Sequence, residues 1–432
     1  MEVKKLHRRQ FLKKGALAGF AASTMHFAGA KTTTAAEPQE TQASQDYKSY
    51  GDRSSFESSA RKSEARSFPA HRTCPIQDTV GIITPSALHF VSNHSVPPNI
   101  DPKEYSLLIH GLVDRPLTYS LEELKRLPSV TRVHFLECNA NSKPPMAKGS
   151  PTKILANGSL AFATAQDIWG RTSCSEWTGV PLSLLLKEAG LQSRASWIVS
   201  DSNDSMHFTY DLPLAKAMDD VLVAYGQNGE AVRPEQGYPV RLLVPGFEAP
   251  YSVKWLRQIK VVDEAYTPKT QAIEHAYSRP DLKGKALWLY YQIPPKSVIL
   301  RPSGGQQLPG PGYYEITGLA WSGGGAIRKV EVSVDGGKSW KDARLQEPVH
   351  RMAHTRFRFD WTWNGQETVV QSRCTDEQGV VQPTLDELDK NWGIDSREFW
   401  RSATPEHGPF HFNAIQPWRV AQDGSVHYAM FS

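Results

Sequence analysis

YYEITGLAWSG at residues 313–323 and RKVEVSVDGGKSW at 328–340 decide the class of the C-terminal half of this 432-residue chain. Both alternate apolar and polar residues with a period of two, the pattern of a strand with one covered face. The second also carries its own reversal, Asp335-Gly336-Gly337. Working outward, TRFRFDWTW (355–363) and TVVQSRCTD (368–376) repeat the alternation at short intervals, as a β-sandwich requires. Val330, Val332 and Val334 are expected to face its core, as are Phe357, Phe359, Trp361 and Trp363. An aromatic stripe at strand spacing is core far more often than a ligand platform, so it is assigned no chemistry. The sandwich is placed over 281–390. The stretch from about Trp392 to Ser432 shows no periodicity, and a tail at 391–432 is expected to pack across the surface or onto a partner.

Upstream the pattern is mixed. SLLIHGLVDRPLTYSLEELKRLPSVTRVHFLEC (106–138) reads as a strand, a turn, a short helix capped by Ser120 with Glu123 at its third position, and a second strand. GVPLSLLLKEAG (179–190) is an amphipathic helix closed by Gly190, and SWIVSDS (196–202) and DDVLVAYGQ (219–227) are strands. Asn228-Gly229 is a hairpin turn leading to YPVRLLVPG and then YSVKWLRQIKVV. The whole is an α+β domain over 79–280. Residues 37–78, rich in Gln, Ser, Glu, Arg and Lys, read as a linker or extended arm.

The N-terminal 36 residues read as a twin-arginine export signal: Arg8 and Arg9 precede Phe11, Leu12 and Lys13, and a small-residue cleavage site lies at Ala28-Gly29-Ala30. That segment holds seven of the 49 Lys and Arg and one of the 45 Asp and Glu, leaving 42 against 44. The remainder is therefore slightly acidic, which removes the main argument for nucleic-acid binding. No membrane-spanning run follows the leader, so the expectation is a periplasmic enzyme exported already folded with its cofactor. Four cysteines allow up to two bridges, and their spacing prescribes none. No C-x-x-C-H occurs, so no c-type haem is expected in this chain.

Cys138 sits alone where an apolar strand breaks into Asn139, Asn141 and Ser142. A buried free cysteine is the ordinary explanation of such a residue. The strand-to-loop exit also suits a thiolate at a cleft, a soft ligand for a metal. Arg241 and Lys254 lie on strand-like segments flanking PGFEAP and could converge on an anion, or could be solvated strand charges. His94 could be a capped loop histidine, Asp204 a turn former and Tyr277 a packing residue.

Five blocks in order, TPSALHFVSNHSVPPNI (84–100) with its continuation to Pro128, HFLECNANS (134–142), SCSEWTGVPLSLLL (173–186), AYGQNGEAVRPEQGYPVRLLVPGFEAPYSVKWLRQIKVVD (224–263) and PGYYEITGLAWSGGGAIRKVEVSVDGGKSW (311–340), resemble the sulfite oxidase family of molybdenum enzymes. Several are most similar to its sulfane-oxidising members. The resemblance runs from about residue 79 to at least 385 and implies a molybdopterin-binding domain followed by an immunoglobulin-like dimerisation domain. It places the cysteine ligand of molybdenum at Cys138, beside the pterin dithiolene. It places cofactor contacts at Phe90, Val91, Ser92, Asn93 and His94, at Asp204, Gln236 and Arg241, and at Ser252, Val253 and Lys254. Tyr277 matches the tyrosine beside the metal. Three positions depart from the family pattern: Ser92 and Lys143 stand where relatives that oxidise sulfite commonly carry arginine, and Gln236 where a pterin-contacting histidine is frequent. Losing a bidentate donor and exchanging another for a point charge weakens capture of a small dianion and favours a bulkier sulfur substrate.

The implied reaction is oxygen-atom transfer to a sulfur lone pair, with water restoring the oxygen and two electrons leaving one at a time. Cys138 would tune the metal while Lys143 and Tyr277 hold and polarise the substrate. The implied partners are a c-type cytochrome subunit in an α2β2 assembly and a protein that carries sulfane sulfur on a cysteine. Three other readings use the same residues or none of them: a sulfite dehydrogenase acting on free sulfite, an oxide reductase, and a non-catalytic exported binding protein.

Overall fold

A computed structural model describes residues 54, 56–63, 71–142, 163–274, 276–278, 287–396 and 411–430. Lys143 and the expected export signal lie outside them, as does the Tyr277 side chain. The described residues from Ser59 onward form one compact unit.

Two five-stranded sheets build the first half. One runs Glu230–Ala231, Leu222–Gln227, Thr172–Pro181, Val130–Glu137, with Arg241–Leu243 also paired to Leu222–Gln227, and is antiparallel throughout. The other runs Leu117–Ser120, Ser106–Gly111, Leu256–Val262, Trp197–Ser202, Thr209–Pro213, and joins Ser106–Gly111 to Leu256–Val262 in parallel. The helices between them follow local chemistry. Ser120 Oγ accepts the Glu123 N–H (3.2 Å) and the Glu123 carboxylate accepts the Ser120 N–H (2.8 Å), which starts Leu121–Arg126. Leu182–Ala189 buries Leu182, Leu185, Leu186 and Ala189 along one face and stops at Gly190, whose φ of 75° lies in the left-handed region.

The second half is a two-sheet β sandwich, and with the mixed first half it makes the chain α+β. Lys296–Arg301, Gly312–Trp321, Thr355–Trp363 and Arg344–Leu345 form one sheet. Lys341–Asp342, Ile327–Ser333, Thr368–Asp376, Trp418–Val420 and Val426–Tyr428 form the other. Val330, Val332, Phe357, Trp361 and Trp363 are buried as expected, and Val334 and Phe359 pack half-buried against the same core.

Two boundaries fall elsewhere than expected. The segment taken for a C-terminal tail supplies two strands of the sandwich, where Trp418 is fully buried and stacks edge-on against Trp169 at 5.6 Å. Three-residue strands are too short to display a period of two. The expected arm enters the fold before residue 78: His71–Thr73 pairs with Val91–Ser92, and Cys74 and Ile76 are buried. Its polar composition hides these two core positions. All four cysteines are free and buried.

The halves share one apolar cluster, in which Phe135, Trp169 and Cys174 pack with Trp321, Phe357 and Trp418. Strand alternation explains the layout around Val130–Glu137. Phe135 and Glu137 face the sandwich, where Phe135 lies 6.5 Å from the Trp321 ring, while Leu136 and Cys138 face the opposite way into a cleft.

Candidate active site

That cleft opens to solvent, and its empty space, the open mouth included, comes to about 760 Å³. Its floor is the end of Val130–Glu137, where Cys138 is 6 % exposed, its N–H donates to the Arg171 carbonyl (3.0 Å) and its thiol to Asn139 Oδ1 (3.3 Å). One wall is the loop after His89. Phe90, Ser92, Asn93 and His94 line the cleft there, whereas Val91 is buried behind it at the pairing with Arg72. Gln236, Arg241, Ser252, Val253, Lys254 and Asp204 also line the cleft, Gln236 and Lys254 bonded directly to that loop. The structure thus gathers every described side chain expected at the site except Val91.

The charges in this cleft decide what it can hold. Arg241 is 1 % exposed, lies 5.0 Å over the Trp177 ring and donates to the carbonyls of Gln236 (3.0 Å) and Ser252 (2.8 Å). Lys254 Nζ donates to Asn93 Oδ1 (2.6 Å) and the Glu235 carbonyl (2.9 Å). Among the described residues neither cation forms a carboxylate ion pair. Burial lowers the Arg241 pKa to about 9; burial, then repulsion from Arg241, lowers that of Lys254 to about 7. A buried and a half-buried cation, held by neutral acceptors among the described residues, make a receptor for an anion. The Asn93 amide nitrogen is buried with no partner among the described residues and is a further donor beside Lys254. Asp204 is fixed, accepting from Ser95 Oγ and, at 2.5 Å, from Ser202 Oγ. Behind Lys254, the Glu235 carboxylate is paired with Arg61 and with Arg72 (2.8 Å), both supplied by the segment expected to be an arm.

Two non-glycine residues border the site in the left-handed region, Trp255 at φ 49° and Ser142 at φ 65°. Such backbone is held only where the surroundings over-determine it. Ser92 Oγ lies 3.1 Å from His71 Nδ1, and Gln236 Nε2 donates to the Phe90 carbonyl at 2.8 Å.

His89 was not anticipated. It lines the cleft, stacks on Phe90 at 5.2 Å, and has a buried Nε2 with no partner among the described residues; burial pushes its pKa down to about 3, so it stays neutral. Trp255, Phe208 and Tyr210 were missed as well. His89 and Trp255 each adjoin an expected contact, which is the only sequence signal they carry.

Among the described residues no three His, Cys, Asp or Glu side chains converge as a metal cage. One cysteine beside a buried anion receptor fits a metal that arrives with most of its ligands on a phosphorylated organic group.

Residues 93–270 match the oxidoreductase molybdopterin binding domain, and residues 288–403 the Mo-co oxidoreductase dimerisation domain. The crystal structure of the sulfane dehydrogenase SoxCD from Paracoccus pantotrophus superposes with a TM-score of 0.78 at 36 % identity, covering 89 % of this chain and 94 % of that one. Mitochondrial sulfite oxidase of Mus musculus is 32 % identical over 66 % of this chain and 52 % of its own length. NADH nitrate reductase of Cichorium intybus is 31 % identical over 66 % of this chain and 32 % of its own. The chain thus spans between a third and a half of these two curated relatives. It belongs to the sulfite oxidase family of molybdopterin-dependent oxidoreductases, whose cofactor is molybdenum–molybdopterin.

Proposed function

We propose that this chain is a periplasmic oxidoreductase, exported by the twin-arginine route, that oxidises a sulfane sulfur carried on the cysteine of a carrier protein and passes the electrons to a SoxD-like c-type cytochrome subunit. The observation that carries this reading is the convergence on one cleft of Cys138 with two cations, the buried Arg241 and the half-buried Lys254. The likeness to the SoxCD structure over nearly its whole chain supports the sulfane substrate and the cytochrome partner. The dimerisation domain supports a homodimer, within an α2β2 assembly.

When bound, the molybdenum–molybdopterin group supplies oxygen-atom transfer and two-electron redox chemistry. Cys138 gives the metal its protein thiolate. Arg241 and Lys254 would hold the pterin phosphate, whose charge favours the protonated form of Lys254. Phe90, His94, Asp204, Gln236, Ser252 and Val253 shape and orient the pocket, with Asn93 Nδ2 and His89 Nε2 as unspent polar groups. Lys143 and Tyr277 hold and polarise the substrate. At the rim, Ser92 shares a hydrogen bond with His71 and offers no fixed cation for a small dianion, which supports a substrate whose binding energy comes from a larger surface.

A second reading, oxidation of free sulfite, is favoured by the identity to mouse sulfite oxidase. Steady-state assays of the molybdenum-loaded enzyme with its cytochrome separate the two. The sulfane reading expects turnover with a protein-bound cysteine persulfide and little with sulfite. Efficient sulfite turnover with no response to the persulfide would overturn it.

A further inference from the structure

Behind Cys138, on the face of the strand turned away from the cleft, a buried ion pair joins the two halves of the molecule. Glu137 is fully buried and Lys296, on the first strand of the sandwich, is 1 % exposed; their side chains meet at 2.5 Å. The same Lys296 Nζ donates to Ser142 Oγ at 2.8 Å. Glu137 Oε1 also accepts from Asn141 Nδ2 (2.8 Å), and Oε2 accepts from the indole N–H of Trp321 (2.6 Å). One ammonium group therefore holds both ends of the loop that carries Cys138: the residue before it and the residue four after it, where the backbone takes its left-handed turn.

We propose that Lys296 is a positioning residue for Cys138, so that the dimerisation domain sets the orientation of the sulfur presented to the metal. This rests on Cys138 being the metal's protein ligand. A buried ion pair adds little net stability over an apolar pair of the same shape, so the network is better explained by the geometry it imposes. That geometry concerns a single thiolate at the end of a strand, where a small rotation of Glu137 would turn Cys138 with it. Groups that orient a metal ligand from behind typically alter metal affinity or activity by about 10- to 100-fold when removed.

The test compares purified holoenzymes carrying Glu137→Gln with Lys296→Met, Trp321→Phe and Cys138→Ser against the parent. Molybdenum and pterin content, melting temperature, Mo(V) EPR and steady-state kinetics are measured on each. Removing both charges of the pair avoids stranding one of them in the core. The double variant is expected to fold and to hold molybdenum, to show a shifted or broadened Mo(V) signal, and to lose about 10- to 100-fold in kcat with KM little changed. A merely structural pair would lower the melting temperature and leave the signal of the folded fraction intact, which would overturn the inference. Should the double variant not accumulate, Trp321→Phe carries the test: it keeps an aromatic ring, though a smaller one, and removes the indole N–H that donates to Glu137. A smaller shift of the same kind supports the inference and an unchanged signal overturns it. If Cys138→Ser itself leaves the signal unaltered, the assignment of the ligand has failed; if Cys138→Ser changes it and the network variants do not, only the positioning role has failed.

Discussion

Replacing Arg241 with methionine separates holding the cofactor from holding the fold. The burial that lowers this guanidinium's pKa from 12.5 to about 9 implies a cost on the order of 5 kcal/mol for keeping it charged in the cofactor-free chain, at about 1.4 kcal/mol per pKa unit. Against that stand two hydrogen bonds from a charged donor, to the carbonyls of Gln236 and Ser252, at roughly 1.5–3 kcal/mol each. The opposing quantities nearly cancel, so cofactor-free Arg241→Met should differ from the parent by no more than about 2 kcal/mol. The phosphate alters that balance, because one or two charge-assisted bonds to it contribute roughly another 1.5–3 kcal/mol each that methionine cannot supply. Taking about 3 kcal/mol, retention of the cofactor should weaken on the order of 100-fold. Thermal unfolding of both proteins with and without cofactor, together with molybdenum and pterin assays after extended dialysis, measures the two effects separately. If the variant keeps its cofactor as the parent does while its cofactor-free form melts far lower, Arg241 is a structural residue and the anion receptor has been misread.

Other expectations follow from the same geometry. In the cofactor-free protein Lys254 titrates near pH 7, so sulfate binding should weaken as pH rises through that value, and calorimetry at pH 6 and pH 8.5 giving equal affinities would contradict this. The accompanying stability change has a definite sign: between the folded pKa of about 7 and the ordinary lysine value of 10.5 the unfolded chain binds more protons, so cofactor-free stability should rise with pH across that window, and Lys254→Met should flatten the rise. Ser92→Arg restores a planar cation at the rim and should lower the KM for sulfite by roughly 10-fold or more, the worth of one charge-assisted hydrogen bond; an unchanged KM argues that substrate does not reach this rim. Gly318→Ala would place a Cβ 2.1 Å from the Val298 carbonyl oxygen and 2.3 Å from the Phe357 ring, so chemical denaturation should show a loss of at least about 1–3 kcal/mol.

What could be read in advance was what repeats or what is local. Long alternating runs such as Thr355–Trp363 announced their strands, and Ser120 with Glu123 announced a helix start that the structure reproduces bond for bond. The cleft residues were reached by resemblance, because nothing in the spacing of Asn93, Cys138, Asp204, Arg241 and Lys254 brings them together; the ends of five different strands and their loops do that. Partnerships between distant segments left no trace. Lys296 reads as an ordinary charge in PPKSVIL until the fold buries it against Glu137, and Arg61 and Arg72 read as solubilising residues of an arm until they meet Glu235. Trp418 was lost because its strand is three residues long.

The central claim is that Cys138 supplies the metal's protein ligand, and molybdenum X-ray absorption on holoenzyme with Cys138→Ser tests it most directly. The account requires the spectrum to lose one sulfur neighbour relative to the parent, with the Mo(V) EPR signal displaced and turnover abolished. An unchanged sulfur shell in a folded, molybdenum-loaded variant would show that the metal binds elsewhere.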